Sequence, residues 1–267
     1  MPEGDTILRT ALTLQRVLAG RTVQRFESVL PALTRIDEDQ PIVGRRIESV
    51  SARGKHLLIA FSGDLILHTH MRMNGVWHLY RPGVRWRRPH RDMRVLIATS
   101  DAVAVGFTVP VAEFLTSRDL QRHADLRSLG PDVLSASFDP AEATRRIREH
   151  PKQSIGDVLI SQRVVSGVGN LFKSEILFVS GIDPFTEVNA LSDPQLERIV
   201  GAARELMTRS ATSPRRQTTR SVNPNATLWV YGRGGLPCRR CGTPIQSRKT
   251  GPEARITFWC PRCQPAA

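Results

Sequence analysis

The sequence lacks any long run of apolar residues. A helix that crosses a bilayer needs about 20 consecutive residues of mainly apolar character, and no stretch of the 267 residues approaches that length. The first ten residues, MPEGDTILRT, also lack the basic region and apolar stretch of a secretory signal peptide. We therefore expect a cytoplasmic protein that does not associate with membranes.

Cysteine is scarce and confined to one end of the chain. The four cysteines form two Cys-x2-Cys pairs that are separated by eighteen residues. No cysteine is left to cross-link the rest of the chain, so the disulfide framework of a small secreted protein is not expected. Two such pairs can supply the four thiolates of a tetrahedral zinc site, which has no open position for a substrate. We predict one structural Zn²⁺ bound by Cys238, Cys241, Cys260 and Cys263; two disulfides or free thiols are the alternative.

Acidic residues are too few to balance the basic ones. The chain has 38 Lys and Arg against 25 Asp and Glu, a formal net charge of +13. Residues 211–267 contain ten Lys or Arg and one acid, and residues 72–94 contain seven Arg and one acid. Such segments are typical of proteins that bind a polyanion such as nucleic acid, although a solvated surface is the alternative.

Apolar spacing divides the chain into three segments. Residues 5–20 have helical periodicity, with Asp5 or Thr6 as the expected N-cap. Residues 22–114 contain short alternating runs separated by turn residues, which predict strands of an antiparallel sandwich or barrel. Helical spacing then returns in five predicted helices: residues 117–124, 140–150, 154–161, 169–180 and 192–210. We predict an α+β fold with a β-sandwich domain at 1–115, a helical domain at 116–225 and a zinc ribbon at 226–267.

The amino terminus carries a possible nucleophile. Pro2 follows the initiator methionine, and a small second residue ordinarily allows that methionine to be removed. The exposed secondary amine can then attack an anomeric carbon and form an iminium, as lysine does in Schiff bases. Glu3 can donate a proton to a sugar oxygen. An unremarkable chain end is the alternative.

Two internal motifs suit the recognition of phosphate. Lys55 lies in Gly54-Lys55-His56, between two predicted strands, where a lysine can neutralise a phosphate or serve only as a surface charge. Residues 166–170, SGVGN, join two predicted helices. Glycines let the backbone approach a ligand closely, and the N-terminus of the second helix favours an anion. A tight turn between packed helices is the alternative reading of these five residues.

Taken together, the motifs resemble the formamidopyrimidine-DNA glycosylase and endonuclease VIII family. The resemblance is carried in order by MPEGDT, RGKHLL, HTHMRMNGVW, LGPD, GVGN and VYGRGGLPCRRCGTPI, followed by CPRCQ, and it covers nearly the whole chain. It implies a β-sandwich, a helix–two-turn–helix domain and a zinc finger. It also implies a bifunctional DNA glycosylase and abasic-site lyase of base excision repair, which acts as a monomer on damaged double-stranded DNA at the nucleoid.

The resemblance also implies roles for single residues. Pro2 would be the nucleophile, Glu3 the acid–base partner and Lys55 a lysine beside the phosphate of the lesion. Asn170 and Arg255 would bind phosphates that flank the extruded nucleotide. The loop with Arg72 and Met73 would fill the gap left in the duplex, with Met73 as the wedge.

Two segments depart from the family pattern. Asp5 and Thr6 stand where many relatives carry a second glutamate. Residues 108–112, TVPVA, lack the Arg and Phe of a loop typical of the formamidopyrimidine branch. The second departure favours the endonuclease VIII branch and oxidised pyrimidines as substrates, with strand cleavage by β/δ-elimination. A non-catalytic damage-binding protein of the same fold is the main alternative, and a zinc-ribbon transcription accessory factor is another.

Overall fold

A computed structural model describes residues 2–213, 215–223, 225–251 and 254–266. The chain forms two compact units, Met1–Arg127 and Ser128–Ala267, and each is described by itself. The sequence-based division at 115/116 and 225/226 is finer than this one and stays a prediction.

The first unit opens with helix α1, Gly4–Leu18, close to its predicted bounds. Its N-cap differs from the prediction, because the backbone carbonyl of Glu3 accepts hydrogen bonds from the amides of Thr6 and Ile7. Asp5 therefore lies inside the first turn, where a carboxylate favours the positive end of the helix dipole. The buried face of α1 has the spacing of an amphipathic helix and includes Ile7, Ala11, Leu14 and Leu18.

Two four-stranded antiparallel sheets make up most of this unit, which confirms the predicted class. In chain order, the elements after α1 are β1 (Arg25–Ser28), α2 (Pro31–Asp39), β2 (Ile47–Arg53), β3 (His56–Phe61), β4 (Leu65–His70), β5 (Val76–Tyr80), β6 (Met93–Ala98), β7 (Val103–Phe107), β8 (Val111–Leu115), α3 (Ser117–Arg122) and α4 (Ala124–Arg127). One sheet has the order β1-β6-β7-β5 and the other the order β2-β3-β4-β8. Helix α2 was not predicted, and it interrupts a segment expected to contain only strands.

Both sheets contribute to one apolar core. Phe26 and Ile97 of the first sheet and Leu57 and Leu67 of the second belong to the same buried cluster. Helix α1 adds its buried face to this cluster. Leu57 and Ile59 occupy alternate positions of β3 in this core, so a shift of one residue in the register would turn both away from it.

The second unit is helical at its start and ends in a hairpin. Its elements are α5 (Pro140–Arg148), α6 (Ile155–Ile160), α7 (Asn170–Ser180), α8 (Asp193–Thr212), β9 (Gln246–Thr250) and β10 (Arg255–Trp259). Helix α7 is buried along nearly its whole length, as expected of a central helix surrounded by other elements. The predicted helices in this unit are all present, with ends that differ by one or two residues.

Within the described ranges, no helix combines the length and the apolar character that a membrane crossing requires.

Candidate functional site

Pro2 lines a cavity in the first unit. The cavity has a volume of about 570 Å³. Pro2, which precedes helix α1, lines it together with Thr6 and Thr10 of that helix, and the connection between β4 and β5 supplies a second wall. The complete lining is Pro2, Thr6, Thr10, Met71, Met73, Asn74, Gly75, Val76, Arg88 and Thr108. The cavity is large enough for a nucleotide-sized ligand, and it brings the predicted nucleophile and the predicted wedge residue to one place.

Glu3 lies directly beside Pro2 and is 1% exposed. Its backbone is extended, and its carbonyl begins the hydrogen bonding of α1. The structure therefore places a buried acid next to the residue whose amine is the predicted nucleophile.

The turn between β4 and β5 presents two of the predicted DNA-binding residues. Arg72 adopts a left-handed conformation with φ of 47°, and its amide donates to Nδ1 of His70 over 3.0 Å. Met73 follows and is 63% exposed. An exposed apolar side chain can be buried in a binding partner. Gly75 closes the turn, where an added Cβ would lie 2.6 Å from the carbonyl oxygen of Met71.

Lys55 lies in the two-residue turn between β2 and β3, as predicted. Arg53 and His56 pair across that turn, and Gly54 has φ of 59°. Burial and then the charges of Arg72 and Lys55 lower the pKa of His70 to about 4. Lys55 and Arg72 therefore lie near the same imidazole, although Lys55 does not belong to the cavity lining around Pro2.

A cluster of histidines and one glutamate lies beside this turn. His56 Nδ1 is 2.8 Å from His68 Nε2, and His68 Nδ1 is 2.9 Å from Oε1 of Glu113. His123 Nε2 is also 2.9 Å from that oxygen. Burial lowers the pKa of His56 to about 3, with further lowering by His70. Burial opposes ionisation of Glu113, but hydrogen bonds from His68 and His123 lower its pKa.

This cluster was not predicted from the sequence. His68 and His70 alternate on β4, so a period of two was visible, but the partners lie on other elements. His68 pairs with Glu113 across β4 and β8, and His123 follows α3. The register of β4 and β8 brings His68 to Glu113, and the packing of the end of α3 adds His123; a single sequence reveals neither.

In the second unit, Asn170 and β10 are directly linked. Asn170 is the first residue of α7 and is 8% exposed. Its Nδ2 donates to the backbone carbonyl of Ile256 over 2.8 Å, beside Arg255. The amide nitrogen has a second N–H that can donate to an anion. The structure thus brings together the two predicted phosphate-binding residues, at the N-terminus of an eleven-residue helix.

Lys173 strengthens the same link and was not predicted. It is fully buried, and its Nζ donates to Oγ1 of Thr257 over 2.6 Å. Thr257 Oγ1 is in turn 2.6 Å from Oγ1 of Thr250 on β9. This chain of contacts joins α7 to both strands of the hairpin.

Glu175 ties α7 to the segment that leads into the cysteine module. Its buried carboxylate accepts hydrogen bonds from the amides of Trp229, Val230 and Tyr231, each over 2.8 Å, and from the hydroxyl of Thr218. Burial raises the pKa of Glu175, whereas these four donors act to lower it. Nothing in the sequence distinguishes a glutamate with this structural role from any other glutamate inside a helix.

The four cysteines lie together, as predicted. Sγ of Cys238 is 3.9 Å from Sγ of Cys263, and Sγ of Cys241 is 3.5 Å from Sγ of Cys260. All four sulfurs lie within 4.8 Å of one another. Zinc–sulfur bonds of about 2.3 Å in a tetrahedron put neighbouring sulfurs roughly 3.8 Å apart. The four thiols are free rather than disulfide-bonded and fit one Zn²⁺.

The chain matches three domain families in succession. Residues 1–130 match the formamidopyrimidine-DNA glycosylase N-terminal domain, and residues 129–221 match the formamidopyrimidine-DNA glycosylase H2TH domain. Residues 235–266 match a zinc finger found in FPG and IleRS. These matches confirm the predicted resemblance and, with the sulfur geometry, the predicted structural zinc.

Similar proteins extend over the full chain. A probable endonuclease 8 2 of Streptomyces coelicolor is 38% identical over 99% of this chain and 94% of its own length. The DNA-(apurinic or apyrimidinic site) lyase Nei2 of Mycolicibacterium smegmatis is 37% identical over the whole of both chains. A Lactococcus lactis Fpg solved with DNA containing N7-benzyl-Fapy-dG has a TM-score of 0.84, covers 99% of this chain and 100% of its own, and is 22% identical, which shows a shared fold.

Proposed function

The chain belongs to the formamidopyrimidine-DNA glycosylase and endonuclease VIII family, and we propose that Pro2 carries out its chemistry. The protein is a bifunctional enzyme of base excision repair that removes damaged bases from DNA and cleaves the strand at the resulting abasic site. The observation that carries the proposed role of Pro2 is its position in the wall of the 570 Å³ cavity, opposite the turn with Met73.

The reaction begins at the Pro2 nitrogen. Met1, which lies outside the described residues, must be removed so that this nitrogen becomes a secondary amine. The amine attacks C1′ of the damaged nucleotide, the bond from C1′ to the base breaks, and the base leaves with the electron pair. Opening of the sugar ring gives an iminium between C1′ and the Pro2 nitrogen.

The iminium makes strand cleavage possible because it accepts electrons. Loss of a proton from C2′ sends an electron pair toward the iminium, and the C3′–O bond breaks with departure of the 3′ phosphate. A second elimination releases the 5′ phosphate. Glu3 supplies a proton to the ring oxygen as the sugar opens, and Lys55 neutralises a phosphate beside the lesion.

Contacts with phosphate hold the duplex while the base is outside it. In the second unit, the N-terminus of α7 with Asn170 and the adjacent Arg255 bind phosphates. In the first unit, Arg72 and the exposed Met73 enter the space vacated by the base, at a cost of a few kcal/mol of stacking energy. The zinc module, within the predicted 226–267 segment, supports Arg255 and takes no part in bond breaking.

Oxidised pyrimidines are the proposed substrates. Only three residues, Thr108 to Pro110, separate β7 from β8, and Val109 is fully buried. This short connection lacks the Arg and Phe of the loop typical of the formamidopyrimidine branch, which supports a preference for oxidised pyrimidines. We further propose that the enzyme works as a monomer at the nucleoid in the cytoplasm.

Reduction with borohydride tests the proposed nucleophile. Wild-type protein, processed to Pro2, should become covalently attached to a duplex containing thymine glycol or an abasic site. A protein extended by several residues before Pro2 should bind the duplex without being trapped, because its residue 2 nitrogen is an amide. Equal trapping of both proteins would overturn the assignment, and a shifted but intact duplex with wild type would identify a non-catalytic binder.

A further inference from the structure

Three side chains of the first unit form a site with the composition of a metal centre. The ligand atoms are Nδ1 of His68, Oε1 of Glu113 and Nε2 of His123, and all three lie within 4.8 Å of one another. They come from β4, from β8 and from the end of α3, and they are separate from the cavity lining around Pro2. Two imidazoles and one carboxylate are a common ligand set for divalent transition metals.

The distances between the candidate ligand atoms are close to those between ligand atoms around a bound metal ion. Each imidazole nitrogen is 2.9 Å from the same oxygen of Glu113. Bonds of about 2.0–2.2 Å to nitrogen and oxygen put neighbouring tetrahedral ligands roughly 3.3 Å apart. The Glu113 oxygen must therefore recede from both nitrogens by a few tenths of an ångström. Glu113, with a side chain 38% exposed, has the freedom to make this shift.

His123 can also adjust. Its Nε2 contacts Glu113, and its buried Nδ1 has no hydrogen-bond partner among the described residues. The ring is therefore fixed by hydrogen bonding on one side alone. His123 directly follows α3, so a small movement of this helix end brings Nε2 toward an ion without disturbing a strand.

His56 contacts Nε2 of His68, the ring nitrogen that does not contact Glu113. A histidine that binds a metal through one nitrogen usually donates a hydrogen bond from the other, which fixes the ring and its tautomer. Nε2 of His68 is 2.8 Å from Nδ1 of His56. When Nδ1 of His68 donates to Glu113, His56 must donate to His68; when that nitrogen binds an ion, His68 can donate to His56 instead. The pair of imidazoles accommodates both proton arrangements without moving.

We propose that His68, Glu113 and His123 bind a divalent transition-metal ion, with His56 orienting His68. The site is distinct from the zinc bound by the four cysteines, and one coordination position or more is left for water. Binding joins β4 and β8 to the end of α3. Because His56 pairs with His70 across β3 and β4, the ion also stabilises the strand ends that carry Lys55 and Arg72.

Metal content of the untagged, full-length protein tests the proposal. After equilibration with excess Zn²⁺ and removal of loosely bound ions, wild type should contain one ion beyond the ion held by the cysteines. Glu113→Gln and His123→Gln should each lose this additional ion and keep the other. His90→Gln changes an exposed histidine of the same unit and should retain the wild-type content.

Co²⁺ distinguishes the two environments. The cysteine site should give intense thiolate-to-cobalt charge-transfer bands, whereas the additional equivalent should add only ligand-field bands typical of nitrogen and oxygen ligands. Circular dichroism checks that each variant is folded; if Glu113→Gln is not, His123→Gln at the helix end provides the same comparison. The proposal is overturned if wild type binds only the cysteine-held ion, or if the additional ion persists in a folded Glu113→Gln or His123→Gln protein.

Discussion

Replacement of Glu175 by glutamine should destabilise the second unit strongly, although the two side chains have nearly the same shape. The carboxylate accepts two hydrogen bonds on each oxygen: from Val230 and Tyr231 on Oε1, and from Trp229 and Thr218 on Oε2. A glutamine amide keeps one oxygen and places an NH2 group at the other position. At least one buried donor then faces another donor.

The expected loss of unfolding free energy follows from those four hydrogen bonds. If the NH2 group replaces Oε2, Thr218 can rotate its hydroxyl and accept, but the amide of Trp229 is left without an acceptor. A buried unsatisfied donor costs about 1–3 kcal/mol. The bonds to Val230 and Tyr231 lose the ionic contribution, about 1 kcal/mol each. Glutamine avoids the cost of burying a charge, which offsets part of this loss, so we expect a net destabilisation of about 2–4 kcal/mol.

Urea denaturation of the full-length protein measures this loss, and Glu197→Gln on the exposed face of α8 is the matched control. The control should remain within about 0.5 kcal/mol of wild type. Hydrogen exchange at residues 229–231 should also accelerate in the Glu175 variant only. If Glu175→Gln were as stable as the control, the carboxyl would already be protonated in the native protein, which would contradict an ionised acceptor at this position.

Other consequences of the structure can be measured in the same way. Cys260→Ser removes one of four thiolates, so metal analysis should show loss of the structural zinc and gel-shift assays should show weaker DNA binding; retained zinc would contradict the four-cysteine site. Gly75→Ala places a Cβ 2.6 Å from a backbone oxygen, which should cost about 1–3 kcal/mol in urea denaturation, and an unchanged midpoint would show that the turn relaxes freely. Met73→Ala should leave the unfolding free energy within about 0.5 kcal/mol, because the side chain is exposed. The same variant should slow excision from duplex DNA about tenfold, or about 1.4 kcal/mol, without slowing excision from a single strand; equal slowing on both would remove its assignment as a wedge.

Features that depend on residues close together in the chain could be predicted from the sequence. The two Cys-x2-Cys pairs each define a local turn, and their sulfurs lie together in the structure. The long helices follow from apolar spacing, and the antiparallel strands from alternation and turn residues. Pro2 lines a cavity in the structure, and its role as the nucleophile stays a prediction.

Features that depend on tertiary pairing could not be predicted. Glu175 reads as an ordinary helical glutamate, yet its partners lie more than forty residues further along the chain. The cluster with His68 and Glu113 requires the register between β4 and β8. Helix α2 is short and has one fully buried apolar residue, Leu33, so its periodicity is weak. The N-cap of α1 was misassigned because Glu3 caps the helix through its backbone rather than its side chain.

Mass spectrometry of the borohydride-trapped complex tests the proposed chemistry most directly. After digestion of protein and DNA, the reduced sugar fragment should be found on the peptide that begins with Pro2, attached to its nitrogen, in a protein that no longer carries Met1. Attachment to Lys55 or to another amine, or full activity in a protein that retains Met1, would contradict the account.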